Sequence, residues 1–239
     1  SLFIGWELVS WASLLLMVIA GGRASEFGIR YIVYATAGAM AVLAGLVIIF
    51  HLSGSFAYAD LAAIAPAMNT LQVVTLSLLF FFGFGIKMGL LPFHLWQADA
   101  YAETPGPGTA FLGAISSRMG LYAILVLLIQ LIGLIRLIEI DIPYSFLSLR
   151  DVLMWVAAIS IIIPTFIALR QSDARRLLAW HGIGQGGYML IGLLLLDPFG
   201  SAGGLMHVFN HATYQAALFL SVSAVIYRTR TSDLNRLGG

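Results

Sequence analysis

Long apolar stretches separated by short polar breaks run along the whole chain. Seven of them, at about 1–21, 31–53, 70–92, 107–133, 152–170, 177–196 and 203–227, reach the roughly 20 apolar residues that a helix needs to cross a bilayer core. Between them stand Gly21-Gly22-Arg23, Ser53-Gly54-Ser55, Thr104-Pro105-Gly106-Pro107 and Asp197-Pro198-Phe199-Gly200, turn and breaker sequences at the expected places. The pattern predicts an all-α fold, a polytopic bundle of about seven transmembrane helices forming a single domain over residues 1–239. No soluble domain, low-complexity linker or short tandem repeat interrupts it.

Composition narrows the function classes. Of the 239 residues 60% are hydrophobic and 10% charged, against about 25% charged in an ordinary soluble domain. With a mean hydropathy of +0.96, the chain cannot cover a water-facing surface. A soluble enzyme, a disordered chain and a nucleic-acid binder are excluded, the last for want of a basic patch. Cysteine is absent, so no disulfide, thiolate nucleophile or cysteine-ligated iron–sulfur cluster can form, and any electron transfer belongs to another subunit. No cofactor is expected in this chain. Ser1 to Trp6 are already apolar, with no initiator Met, basic segment or small-residue cleavage site. No signal peptide is therefore expected, and the chain is expected to be a segment of a longer protein that ends in a loop.

Eight arginines, Arg23, Arg30, Arg170, Arg175, Arg176, Arg228, Arg230 and Arg236, follow the first, third, fifth or seventh apolar stretch, although the loop after the third holds none. Only Arg136 and Arg150 fall in the intervening loops. The positive-inside rule places the arginine-rich loops and the C-terminal end in the cytoplasm.

Charged residues inside the apolar stretches are the candidate chemistry. Lys87, the only lysine, lies in Phe80-Phe81-Phe82-Gly83-Phe84-Gly85-Ile86-Lys87-Met88-Gly89. A charge at the bilayer centre costs roughly 2.5–3.5 kcal/mol on insertion scales, and a desolvated lysine can exchange its proton whereas arginine keeps its charge. The alternative is a lysine snorkelling from a helix end, against which the neighbouring glycines speak, since they admit a second backbone. Glu7 could neutralise a buried cation, or be an interfacial glutamate beside Trp6. Arg118, about midway along the fourth stretch, needs a carboxylate, carbonyls or water. It serves transport by fixing a field, or ties two helices together.

His207 and His211, four residues apart, share one helix face that Gln215 extends, and His181 opens the sixth stretch. No third protein ligand stands at a suitable spacing, so no metal site is expected. The histidines are either satisfied by hydrogen bonds to neighbouring helices or form a proton relay, which suits an imidazole that donates at one nitrogen and accepts at the other. Pro92 follows Lys87 by about a turn and a half. It either kinks or breaks the third span, or marks its end; helix breaks recur at ion sites in transporters, which draws attention to the lysine beside this one.

The run Gly85-Ile86-Lys87-Met88-Gly89-Leu90-Leu91-Pro92-Phe93-His94-Leu95-Trp96-Gln97-Ala98-Asp99, followed by Glu103-Thr104-Pro105-Gly106-Pro107, resembles the signature of antiporter-like membrane subunits. These are the proton-conducting subunits of respiratory complex I, of membrane-bound hydrogenases and of Mrp-type cation/proton antiporters. The likeness continues through Gln171-Ser172-Asp173-Ala174-Arg175-Arg176, Gln185-Gly186-Gly187-Tyr188 and His207-Val208-Phe209-Asn210-His211 to the C-terminal tail. It implies that the seven spans are helices five to eleven of a larger inverted-repeat fold whose third span here is broken at Pro92. It further implies that Glu7 is the family's helix-five glutamate and Lys87 its helix-seven lysine, that Arg175 opens helix ten, and that His207 and His211 are the helix-eleven histidines. Arg118 stands where the family has a lysine or histidine, and Gln215 where many members have a lysine; both remove a titratable group.

The resemblance implies a proton-translocating, itself non-catalytic subunit of a larger energy-converting redox complex, a translocase in the bacterial or archaeal cytoplasmic membrane. Glu7, Lys87, Arg118, His181, His207 and His211 would form the path, with Arg175 and Gln215 in support. The implied partners are other membrane subunits, lipid and protons. A sodium/proton antiporter subunit and a non-conducting structural relative are the alternatives, and a retinal-type seven-helix protein is disfavoured by the residues around Lys87.

Overall fold

The computed structural model describes residues 2–195 and 197–237. Ser1, Leu196, Gly238 and Gly239, to which the first and sixth expected spans and the terminal loop extend, lie outside the described residues. Among the described residues eleven α-helices follow one another: α1 (Leu2–Val18), α2 (Arg23–Ser53), α3 (Tyr58–Ile64), α4 (Thr70–Met88), α5 (Gln97–Glu103), α6 (Gly106–Phe111), α7 (Arg118–Ala123), α8 (Leu134–Glu139), α9 (Leu149–Leu169), α10 (Ala174–Leu194) and α11 (Pro198–Thr229). No strand occurs among the described residues. Two π-helical stretches, Leu112–Ser116 and Ile124–Gly133, connect α6 to α7 and α7 to α8, the path breaking at Gly133 (φ +96) ahead of α8. Four segments, Arg23–Ser53, Thr70–Glu103, Gly106–Glu139 and Leu149–Leu169, are long and apolar enough to cross a membrane. α1 is apolar but shorter, at 17 residues.

The helices outrun the apolar stretches read from the sequence. α2 begins at Arg23 rather than near 31, and α11 at Pro198 rather than near 203. Hydropathy senses only the part that suits hydrocarbon, whereas hydrogen bonding carries a helix on through polar end turns. The starts are set by side-chain caps. Asn69 and Gln72 form a reciprocal capping box at α4, and Ser148 and Asp151 another at α9. Asp173 accepts from Arg176 N–H at α10, and Asp197 from Gly200 N–H at α11.

α4 stops three residues ahead of Pro92. Gly89 is left-handed (φ +71), its N–H reaches Ile86 O at 3.1 Å and the N–H of Leu90 reaches Gly85 O at 3.0 Å, the paired bonds of a Schellman termination. Pro92, joined to Leu91 by a cis peptide, lies in the connection that follows. Backbone groups there find partners inside the protein: Leu91 N–H donates to Ser160 Oγ (3.0 Å), Phe93 N–H to Leu90 O (2.6 Å), and Ile86 O accepts from Trp96 Nε1 (2.9 Å). Irregular backbone is tolerated away from water on that condition.

Ends of α2, α5 and α10 and the C-terminal segment meet at one end of the bundle. Asp99 on α5 pairs with Arg176 on α10 (2.9 Å) and Arg30 on α2 (3.8 Å), and Glu103 pairs with Arg23 (3.6 Å). The C-terminal segment joins them, with Ala174 N–H on Ser232 O and Leu234 N–H on Ser172 O. Arg23, Arg30 and Arg176, three of the eight arginines that sequence charge counting assigns to one side, thus pair at this end. Two buried clusters fill the interior. One is built around Trp6, Val42, Phe80, Phe84 and Leu190, the other around Tyr31, Trp96, Tyr101, Leu112 and Phe219.

Candidate functional site

Lys87 occupies the last turn of α4, one residue before Met88 and two before the stop at Gly89, and is 2% exposed. A cation there faces the negative end of the helix dipole, which favours it. Its Nζ donates to Tyr31 Oη at 2.8 Å and to Ser10 Oγ at 3.1 Å. Tyr31 in turn donates to Ser10 O, and Ser10 Oγ to Trp6 O. α1 and α2 therefore hold the ammonium between a hydroxyl and a phenol. Glu7 lies one turn before Ser10 on α1 and is half-buried; none of its oxygens is within 4.0 Å of Lys87 Nζ among the described ion pairs, and its Oε1 is buried without a hydrogen-bond partner. The lysine is solvated by the neutral hydroxyls of Ser10 and Tyr31, with Glu7 one turn from Ser10 along α1.

α7 packs on α4 at this point. A Cβ on Gly120 would lie 2.6 Å from Phe84 O and 3.2 Å from Lys87 Cβ, so the two backbones approach as only glycine allows. Two residues earlier, and just after the first π-helical stretch, stands Arg118, which is 6% exposed. π-bulges re-aim side chains and recur at functional sites. Arg118 reaches across to α10 and α11: its Nη2 lies 3.3 Å from Gly182 O and 3.4 Å from His211 Nε2. No carboxylate is within 4.0 Å of it among the described residues, and its Nε and Nη1 have no hydrogen-bond partner.

The histidines converge. His211 is fully buried, its ring 6.1 Å from that of His207, 6.4 Å from that of His181 and 5.0 Å from that of Tyr214. Gln185 bridges the other two, its Oε1 2.7 Å from His207 Nε2 and its Nε2 3.2 Å from His181 Nε2. With the amide so placed, His207 donates, Gln185 relays the polarity, and His181 accepts. Gln185 and His207 also line an open groove of about 580 Å³ between α10 and α11. Gln215, buried, donates to Leu178 O at 2.9 Å, and Arg175 donates to Ala102 O at 3.1 Å at the charged end of the bundle.

The structure therefore places Lys87, Arg118, His181, His207, His211 and Gln215 across the interior of one bundle. Glu7 stands at its edge, and Arg175 and Pro92 in the framework. Sequence reasoning missed Ser10, Tyr31, Gln185 and Tyr214 as partners. Only Ser10 left a trace, one helical turn from Glu7; no spacing ties Tyr31 to a lysine 56 residues away.

Fold and site define a helical membrane bundle with a buried lysine, arginine and histidine array. The whole chain, residues 1–239, matches the family described as NADH:quinone oxidoreductase/Mrp antiporter, TM, and belongs to it. It is 34% identical over 240 residues to the NADH-quinone oxidoreductase subunit N of Desulforudis audaxviator, covering 98% of this chain and 46% of that one. It is 29% identical over 245 residues to the hydrogenase-4 component B of Escherichia coli, covering 98% and 35%. Among solved structures, a chain of the membrane-bound sulfane sulfur reductase, an archaeal respiratory membrane complex, superposes with a TM-score of 0.84 at 31% identity, over 95% of this chain and 37% of that one. The chain spans less than half the length of each of these.

Proposed function

We propose that this chain is the proton-handling part of a membrane subunit in a larger energy-converting complex, with Lys87 as the group that takes up and releases the proton. The observation that carries the reading is a single lysine, buried at a helix stop inside a membrane bundle, whose ammonium is held only by Ser10 and Tyr31. A salt-bridged lysine is fixed in its charged form, whereas one solvated by neutral hydroxyls can give up its proton without stranding a buried carboxylate. Glu7, near enough to bias Lys87 and free of a direct pair, tunes the hold on that proton. His181, His207 and His211 form the second station, and Arg118 places a fixed charge between the two.

In this reading α1, α10 and α11 cross the membrane with the four longer apolar segments, making seven spans. The stretch from Gly89 through Pro92 is a break within the third, and the whole is part of an inverted-repeat subunit. The arginine-rich end faces the cytoplasm of a bacterial or archaeal cell, and other membrane subunits supply the coupling reaction. Replacing Lys87 by Ala in the assembled complex, reconstituted in vesicles, is expected to abolish driven proton translocation while the subunit complement stays intact; undiminished translocation overturns the reading. The family embraces Mrp antiporters as well, and dependence of the flux on sodium, with no electron carrier among the co-purified subunits, would assign the chain to that branch.

A further inference from the structure

Arg118 is the member of this array least suited to passing a proton, because a guanidinium does not release one in a protein. Its position gives it another task. It leaves α7 beside the Lys87 turn of α4 and crosses to α10 over two glycines. Its Nη2 contacts Gly182 O, and a Cβ on Gly186 would lie 3.6 Å from its Nη1 and 3.8 Å from Met88 Cε. The guanidinium thus fills the gap between the lysine-bearing helix and the two histidine-bearing helices.

No carboxylate pairs with its charge among the described residues. The ionisable side chains that interact with it, Tyr101 on α5, His181 on α10 and His207, His211 and Tyr214 on α11, include no carboxylate. The contact with His211 also dictates a tautomer. A guanidinium N–H can only donate, so Nε2 of His211 accepts and the ring proton sits on Nδ1. A second proton on that ring would have to displace the arginine and stand beside its charge. Fixed cations in narrow low-dielectric passages exclude protons and metal cations by this repulsion.

We infer that Arg118 is a cationic barrier that insulates the Lys87 station from the His181–His207–His211 station, so that neither protons nor sodium pass between them while the guanidinium spans the gap. The inference rests on the reading of Lys87 as a proton carrier, and it assigns this chain the device that keeps the path from short-circuiting the membrane potential.

The test uses the assembled complex in vesicles carrying an internal pH dye. Passive proton entry is driven by a potassium diffusion potential with no substrate present. Wild type is expected to leak no more than lipid alone. In Arg118→Gln the leak is expected to rise about ten-fold or more. In Arg118→Lys, which keeps a cation of similar reach but one able to hand its proton to His211, it is expected to rise as well. A wild-type complex that leaks by itself, or a wild-type leak in either variant that assembles with its full subunit complement, overturns the barrier. Driven translocation is recorded in the same vesicles. Its absence in wild type removes the carrier reading of Lys87, whereas normal driven translocation beside an unchanged leak in the variants removes the barrier alone.

Discussion

Gly89 and Gln97 leave no room for a side chain between them: a Cβ on Gly89 would lie 1.5 Å from Gln97 Oε1. The residue that stops α4 directly after Lys87 is thus held to glycine twice, by its positive φ and by the amide that folds back over it.

Replacing Gly89 by Ala is expected to cost about 2 kcal/mol or more, the left-handed penalty of an L-residue plus the displaced amide. Adding Gln97→Ala should recover the steric part and leave the backbone part. The checking measurement is the thermal midpoint of the detergent-solubilised complex for the two single variants and the double. Equal midpoints for wild type and Gly89→Ala would show that the stop tolerates a side chain.

Tyr31 carries one of the two hydrogen bonds that hold the Lys87 ammonium. A bond to a charged group is worth about 1.5–3 kcal/mol, so Tyr31→Phe is expected to slow driven proton translocation about ten-fold. Tyr34→Phe, one turn along α2 and away from the lysine, should leave the rate alone. Rates for the two variants in the same vesicle preparation decide the point.

Asp99 links α5 to α2 and α10 through Arg30 and Arg176, but all three side chains are about a third exposed or more. Exposed pairs contribute about 0.2–1 kcal/mol each and weaken with salt. Asp99→Asn is therefore expected to lower the thermal midpoint slightly at low ionic strength and by less at high ionic strength. A loss that persists unchanged at high salt would assign Asp99 a role other than ion pairing.

Gln185 hydrogen-bonds the Nε2 of both His181 and His207. Gln185→Leu removes both bonds and is expected to cost about 1–3 kcal/mol, read as a lower thermal midpoint. Gln185→Glu, which can still accept from His207, should restore part of it. If the leucine variant is as stable as wild type, the bridge contributes nothing to holding the histidines.

The fold was legible in the sequence to different depths. The apolar stretches locate the long helices because hydropathy is a sum over neighbouring residues, whereas the caps Asn69, Ser148 and Asp173 were not read as helix starts and Asp197 was read only as part of a break. The reading misplaced the ends of α2 and α11 and passed over α3, whose polar or short segments carry no hydropathy signal. It also weighed Pro92 as the interrupting residue, whereas α4 ends at Gly89, since glycine shows its left-handed preference only once Gln97 and the paired carbonyls are in place.

By itself the sequence determined the class of protein, its helical make-up, the family signature and the ionisable residues set among apolar ones. Each of these depends on residue type and local spacing. Tertiary structure alone decided that Lys87 meets Ser10 and Tyr31, 77 and 56 residues away, and that Arg118 meets His211 across 93. Hydrogen bonds between helices form only at about 3 Å. Which helices come that close is settled by small residues such as Gly120 and by the π-helical turn before Arg118, through packing that no local pattern encodes.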